Sequence, residues 1–103
     1  MALERIWIGE VAAGHESDHD SFVQWLQSAA GARMLRQYRL NRYEVRQSGN
    51  KLAITMQAEE PPIIIHFLRN HAAWPAFWEF RSNTPADAPP DAKLRFEWAN
   101  NDA

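Results

Sequence analysis

The chain of 103 residues contains no cysteine. Disulfides, thiolate metal sites and a cysteine nucleophile are therefore excluded, and a reducing compartment, the cytoplasm, is the expected location. Charge of one sign is also lacking: 11 Lys and Arg against 13 Asp and Glu leave a formal charge of −2. No basic excess is present to hold a phosphate backbone, so nucleic acid is not an expected partner. Arg33, Arg36, Arg39, Arg42 and Arg46 form a local basic stripe, read as a solvated face because acids elsewhere offset it. No apolar run is long enough to cross a membrane, and residues 1–5 have no basic-then-apolar signal pattern before strand-like sequence begins. What the chain has in quantity is aromatic side chains: five Trp, five Phe and two Tyr. Rings of this size fill cores, and Trp is also favoured where a site or an interface must be packed.

One domain spans residues 1–103, a length near the usual size of a single folding unit. Leu3 to Val11 alternates as a strand, with Ile6 and Ile8 facing one way and Trp7, Gly9 and Val11 the other. Ser17 is the expected cap of a helix in which Phe22, Leu26, Ala29 and Ala30 recur at helical spacing, with Asp18 and Asp20 in its first turn. Gly31 interrupts it, and a shorter helical piece is expected over Ala32 to Tyr38. Leu40–Gln47 and Lys51–Ala58 read as two strands joined by the turn Ser48-Gly49-Asn50. Residues 61–68 stay open. Alternation in Ile63-Ile64-Ile65-His66-Phe67-Leu68 gives a strand apolar on both faces, and three β-branched residues favour it. Pro61-Pro62 instead suits the first turn of a helix. Trp74, Phe77 and Trp78 at i, i+3 and i+4 predict a helix from Asn70 or His71 to Phe80. Residues 83–91, with three prolines, are an exposed loop; Leu94, Phe96 and Trp98 alternate as a last strand; and residues 100–103 are a frayed end.

This order predicts an α+β domain, an antiparallel sheet with helices on one face. Trp7 or the Ile6/Ile8 pair, half of a strand over 63–68, and Phe96 would leave the opposite face apolar, and pairing two such sheets about a twofold axis would cover it. A homodimer is therefore expected.

The same order resembles the dimeric α+β barrel superfamily of ferredoxin-like domains. Gly14-His15-Glu16, Phe22, Trp25 and Leu26 are similar to the "PGxE…F…WL" opening of the first helix in the antibiotic biosynthesis monooxygenase group. Glu59-Glu60, His66, His71 and Phe77 are similar to its "SxEAxxxHxxSxHxxxF" segment. Ala13 departs from that pattern where Pro is usual, and so do Pro61-Pro62 and the triple Ile. The resemblance implies cofactor-independent, monooxygenase-like chemistry on a small aromatic or quinol-like molecule.

On that reading His66 is the candidate base, since imidazole exchanges protons near neutrality. Trp74, Trp78 and His71 are the candidate substrate contacts. The alternative is a non-catalytic dimeric interaction module in which every ring is core or interface. His15 and His19 stand four apart, a metal-binding spacing on one helix face, but His15 precedes the expected cap; no metal and no cofactor are expected. No phosphate loop, serine-nucleophile elbow or zinc-protease motif is present.

Overall fold

The computed structural model describes residues 2–100. In chain order the elements are β1 (Leu3–Val11), α1 (Glu16–Leu26), α2 (Ala29–Gln37), β2 (Leu40–Ser48), β3 (Lys51–Ala58), α3 (Pro61–Arg69), β4 (Trp78–Ser82), one 3₁₀ turn (Pro85–Asp87) and β5 (Lys93–Ala99). The five strands form one antiparallel sheet in the order β4-β1-β3-β2-β5. This is an α+β arrangement compatible with a ferredoxin-like fold. Apart from Asn100, the end expected to fray lies outside the described residues.

The hairpin forms as expected, with Gly49 in the left-handed region at φ 57° between β2 and β3. Cross-strand register then sorts the side chains. Trp7 pairs with Ile54, and Ile54 with Val45, which in turn pairs with Phe96. All four lie in the core or against it, together with Val23 and Leu26 of α1, Leu35 of α2 and Ile63, Ile64 and Phe67 of α3. Trp7 and Phe96 therefore turn toward the helices, and of the apolar second face expected above the Ile6/Ile8 pair is the part that is there. On the opposite, open face Ile6 pairs with Thr55 and Ile8 with Ala53, alongside Glu44, Arg46 and Lys51. The proline loop lies along this face: Pro85 shares a cleft with Glu4, Ile6 and Thr55, and Asp87 and Pro89 share another with Ile8.

Three further expectations are corrected, and one open question closes. Residues 61–69 are helix, with prolines at the first positions and Ile63, Ile64 and Phe67 buried. The N-terminal prolines and a buried i, i+1, i+4 face outweigh the strand preference of three isoleucines. No strand over 63–68 exists to be covered on two sides. Residues 71–77 are turn and irregular structure, and Trp78–Ser82 is strand, not the end of a helix. Trp78 pairs with Val11 and Phe80 with Gly9, so β1's edge satisfies a backbone that a helix would have satisfied internally. Gly9 permits this: a Cβ there would sit 2.0 Å from the Glu79 carbonyl oxygen. α1 begins after His15, not Ser17. α2 begins at Ala29, capped by Ser28, whose hydroxyl accepts from the Gly31 amide at 3.2 Å and donates to the Trp25 carbonyl at 2.5 Å. A Cβ at Gly31 would meet that same carbonyl at 2.5 Å, so glycine lets the two helices turn tightly.

Candidate functional site

Two of the expected substrate contacts do come together. Trp74 follows α3 in the turn, and Trp78 opens β4; their rings meet edge to face at 5.5 Å. Trp74 also stacks on Phe80 at 4.7 Å and meets Trp7 at 5.3 Å, while Trp78 meets Phe22 at 5.1 Å. These rings occupy one another's faces and edges, the arrangement by which aromatic side chains fill a core.

The two expected histidines stand apart from that cluster. His66 is exposed on α3, whose buried residues are Ile63, Ile64 and Phe67, and His71 is exposed in the turn beyond it. Neither lines any of the three clefts described below.

The histidine that does reach the interior is His19, 1% exposed on the inner face of α1. The Trp78 indole Nε1–H donates to His19 Nδ1 at 2.9 Å. An indole only donates, so Nδ1 is an acceptor and the proton sits on Nε2, which donates to Gln47 Oε1 at 2.7 Å. Arg95 donates to the same oxygen at 2.7 Å and to Asp20 at 3.3 Å, carrying the chain of contacts to the surface. Burial pushes the His19 pKa below its ordinary value; the Arg95 charge pushes the same way, against the Gln47 hydrogen bond and Asp20. His19 is thus a neutral ring with both nitrogens committed, joining α1, β2 and β4. His15, four residues earlier, bonds Asp18 at 2.9 Å and stacks on Phe77. Among the described residues no three His, Asp or Glu side chains are grouped as a metal site.

Tyr43 is the other polar group at the centre. It is fully buried between Phe67 and Phe96, and its hydroxyl has no partner among the described residues. Burial raises its pKa far above the phenol range. On the open face, Glu44 is buried between Arg42 and Arg46, which donate to its two oxygens at 2.5 and 2.6 Å.

Three clefts stand out at the surface of the described residues. The largest of these three, about 380 Å³, lies on the open face between β1, β4 and the proline loop and carries Glu10, Lys51, Arg81 and Asp87 beside Ile8. Arg81 pairs with Glu10, and the Ser82 hydroxyl donates to Asp87 at 2.5 Å, which leaves Lys51 as its one charged group without a partner among the described residues. A smaller one holds Glu4, Ile6, Thr55 and Pro85. The third, about 240 Å³, runs between β1 and α3 and is lined by Leu3, Arg5, Trp7, Pro61, Ile64 and Ile65.

The His19 network was missed by sequence reasoning, although signals for it were present. His19, Phe22, Val23 and Leu26 share a helical face, and Gln47 follows Tyr43 and Val45 at period two on the inner side of β2. Comparison with models of known families, with characterised proteins and with solved structures finds no match to this chain.

Proposed function

We infer that this domain is a non-catalytic interaction module. The observation that carries the inference is the state of its interior. Trp7, Trp74, Trp78 and Phe80 pack on one another where an aromatic substrate would lie, and the one imidazole among them has both nitrogens bonded within the fold. A general base must reach the proton it removes. His19 is committed to Trp78 and Gln47, and His66 stands outside on α3. What the domain offers to other molecules is its surface: two sheet edges and the clefts beside β1.

An oxygen electrode tests this reading. With a panel of hydroquinones and catechols, the protein is expected to add nothing to the uncatalysed uptake. Turnover that disappears in His66→Gln would overturn the reading and restore His66 as a base.

A second reading is the dimeric α+β barrel with monooxygenase-like chemistry. In its favour, the 380 Å³ cleft and the Ile6/Ile8 pair lie on the face that a second copy would close over in such a barrel. Light scattering on a sizing column separates the two. A mass near twice 11.9 kDa favours the barrel, and a monomer removes it.

A further inference from the structure

β1 is paired along its whole length on one side only. β3 covers residues 3–10, whereas β4 covers only Ile8 to Val11. On the β4 side, residues 3–7 have no neighbouring strand among the described residues; the 3₁₀ turn that follows β4 lies close to β1, with Pro85 beside Glu4, Ile6 and Thr55 of the open face, away from the β1/α3 groove. An open edge presents a row of unpaired amides and carbonyls, the template onto which an extended chain adds. Along this edge runs the β1/α3 groove, with Leu3, Trp7, Pro61, Ile64 and Ile65 as apolar walls and Arg5 as its one charged residue. Ile65 is 49% exposed, one of two large apolar residues left so open in the described chain.

We propose that this edge and groove bind an extended segment of another protein, with alternate apolar side chains entering the groove and an acidic residue set against Arg5. Charge argues for the acid. Arg5 donates only to the neighbouring Glu4 carbonyl, at 2.9 Å. Arg69 follows Ile65 by four residues, on the same side of α3. Neither guanidinium has a carboxylate partner among the described residues.

Register and size argue against a second copy. Two β1 edges paired antiparallel about residue 5 set two guanidinium groups opposite each other, and about residue 4 two carboxylates; like charges directly opposite are unfavourable. About residue 6, Glu4 would face Ile8 of the other copy, whose outer side is already taken by Ser82. Five residues of edge span about 17 Å, short for the roughly 800 Å² per partner of a stable dimer but enough for a peptide strand.

The inference rests on the interaction-module reading, and two end-blocked peptides test it on the full chain: Val-Thr-Glu-Thr-Val-Thr, whose valines and Glu fall on one face of a strand, and its counterpart with Lys in place of Glu. The acidic peptide is expected to saturate at sub-millimolar concentration, to shift the amides of residues 3–7 in NMR spectra and protect those that point away from β3, and to bind about tenfold or more tighter than the basic one. Arg5→Glu inverts that preference. Ile65→Glu, an exposed position that leaves the fold intact, abolishes saturation. Equal binding of the two peptides, shifts away from residues 3–7, or no binding overturns the proposal. So does a doubled solution mass that Ile65→Glu returns to the monomer, which assigns the groove to a second copy. Quinol turnover alongside acidic-peptide binding would sink the module reading and leave this inference standing; silence in both assays would sink only this inference.

Discussion

Replacing His19 by Phe keeps a ring of similar size and removes both nitrogens. The Trp78 indole N–H, now buried without an acceptor, costs about 1–3 kcal/mol, and the lost bond to Gln47 about 1 more. Gln47 itself keeps Arg95 and its own bond to the Gly49 carbonyl, so it adds no second stranded group. The expected loss is about 2–4 kcal/mol in urea unfolding at pH 8, followed by tryptophan fluorescence. The pH dependence carries the sharper test. Folded His19 has a pKa below the 6.5 of the free imidazole. Above pH 6.5 both folded and unfolded chains hold the ring neutral, and its contribution to stability is complete. As pH falls below 6.5 the unfolded chain takes up a proton that the folded chain refuses, because a protonated Nδ1 would point a donor at a donor. Stability contributed by His19 therefore falls with pH, levelling off below the folded-state pKa. The wild-type and Phe curves should converge on acidification. A constant gap between them from pH 8 to 5 would refute the reasoning, because some other group would then be setting the acid slope.

Tyr43→Phe removes a buried hydroxyl without a partner and is expected to raise stability by about 1–2 kcal/mol; a drop in the urea midpoint would mean that the hydroxyl holds a bond. Gly9→Ala drives a methyl into the β4 backbone, and a loss of about 3 kcal/mol or more is expected, read as a lowered melting temperature with faster exchange of the β4 amides; unchanged exchange there would place the strain elsewhere. Ser28→Ala removes the cap of α2 and should cost about 1 kcal/mol in the same melts. His66→Gln, at an exposed position, should leave urea stability within about 0.5 kcal/mol of the parent, and a larger loss would show a contact on α3 that burial does not reveal.

The parts of the fold legible in the sequence were those decided by local pattern. β1, the β2–β3 hairpin and β5 followed from alternation and from Gly49, because their inner and outer residues differ in polarity along each strand. The missed parts were decided by partners distant in sequence. Trp74, Phe77 and Trp78 match a helical face, yet Trp78, Glu79, Phe80 and Arg81 alternate just as well in and out of a sheet. What chooses between the two periods is Gly9, some seventy residues away, whose missing side chain admits the β4 backbone. For residues 61–69 the deciding features were two prolines at the helix start and a core waiting for Ile63, Ile64 and Phe67, and propensity yields to burial in that situation. Of the candidate site, the pairing of Trp74 with Trp78 was legible from spacing, although strand geometry and a turn, not a helix, bring it about. His19 was not, because its spacing from His15 reads only as a metal pair, which the expected cap argues against, while its partners Gln47 and Trp78 come from two strands distant in the sequence.

Those partners bear on function as well as on stability. An enzyme site needs polar groups left incomplete by the fold, so that the substrate can complete them. Inside this domain the imidazole, indole and amide complete one another, and the aromatic rings leave their faces to other rings. Apart from the Tyr43 hydroxyl, which is fully enclosed, the incomplete groups are on the outside. They are the backbone groups of residues 3–7 that point away from β3, the guanidinium of Arg5 beside them and the half-exposed Ile65. Incompleteness of that kind is met by a backbone and an apolar side chain supplied together, which a strand of another protein can do and a small aromatic molecule cannot.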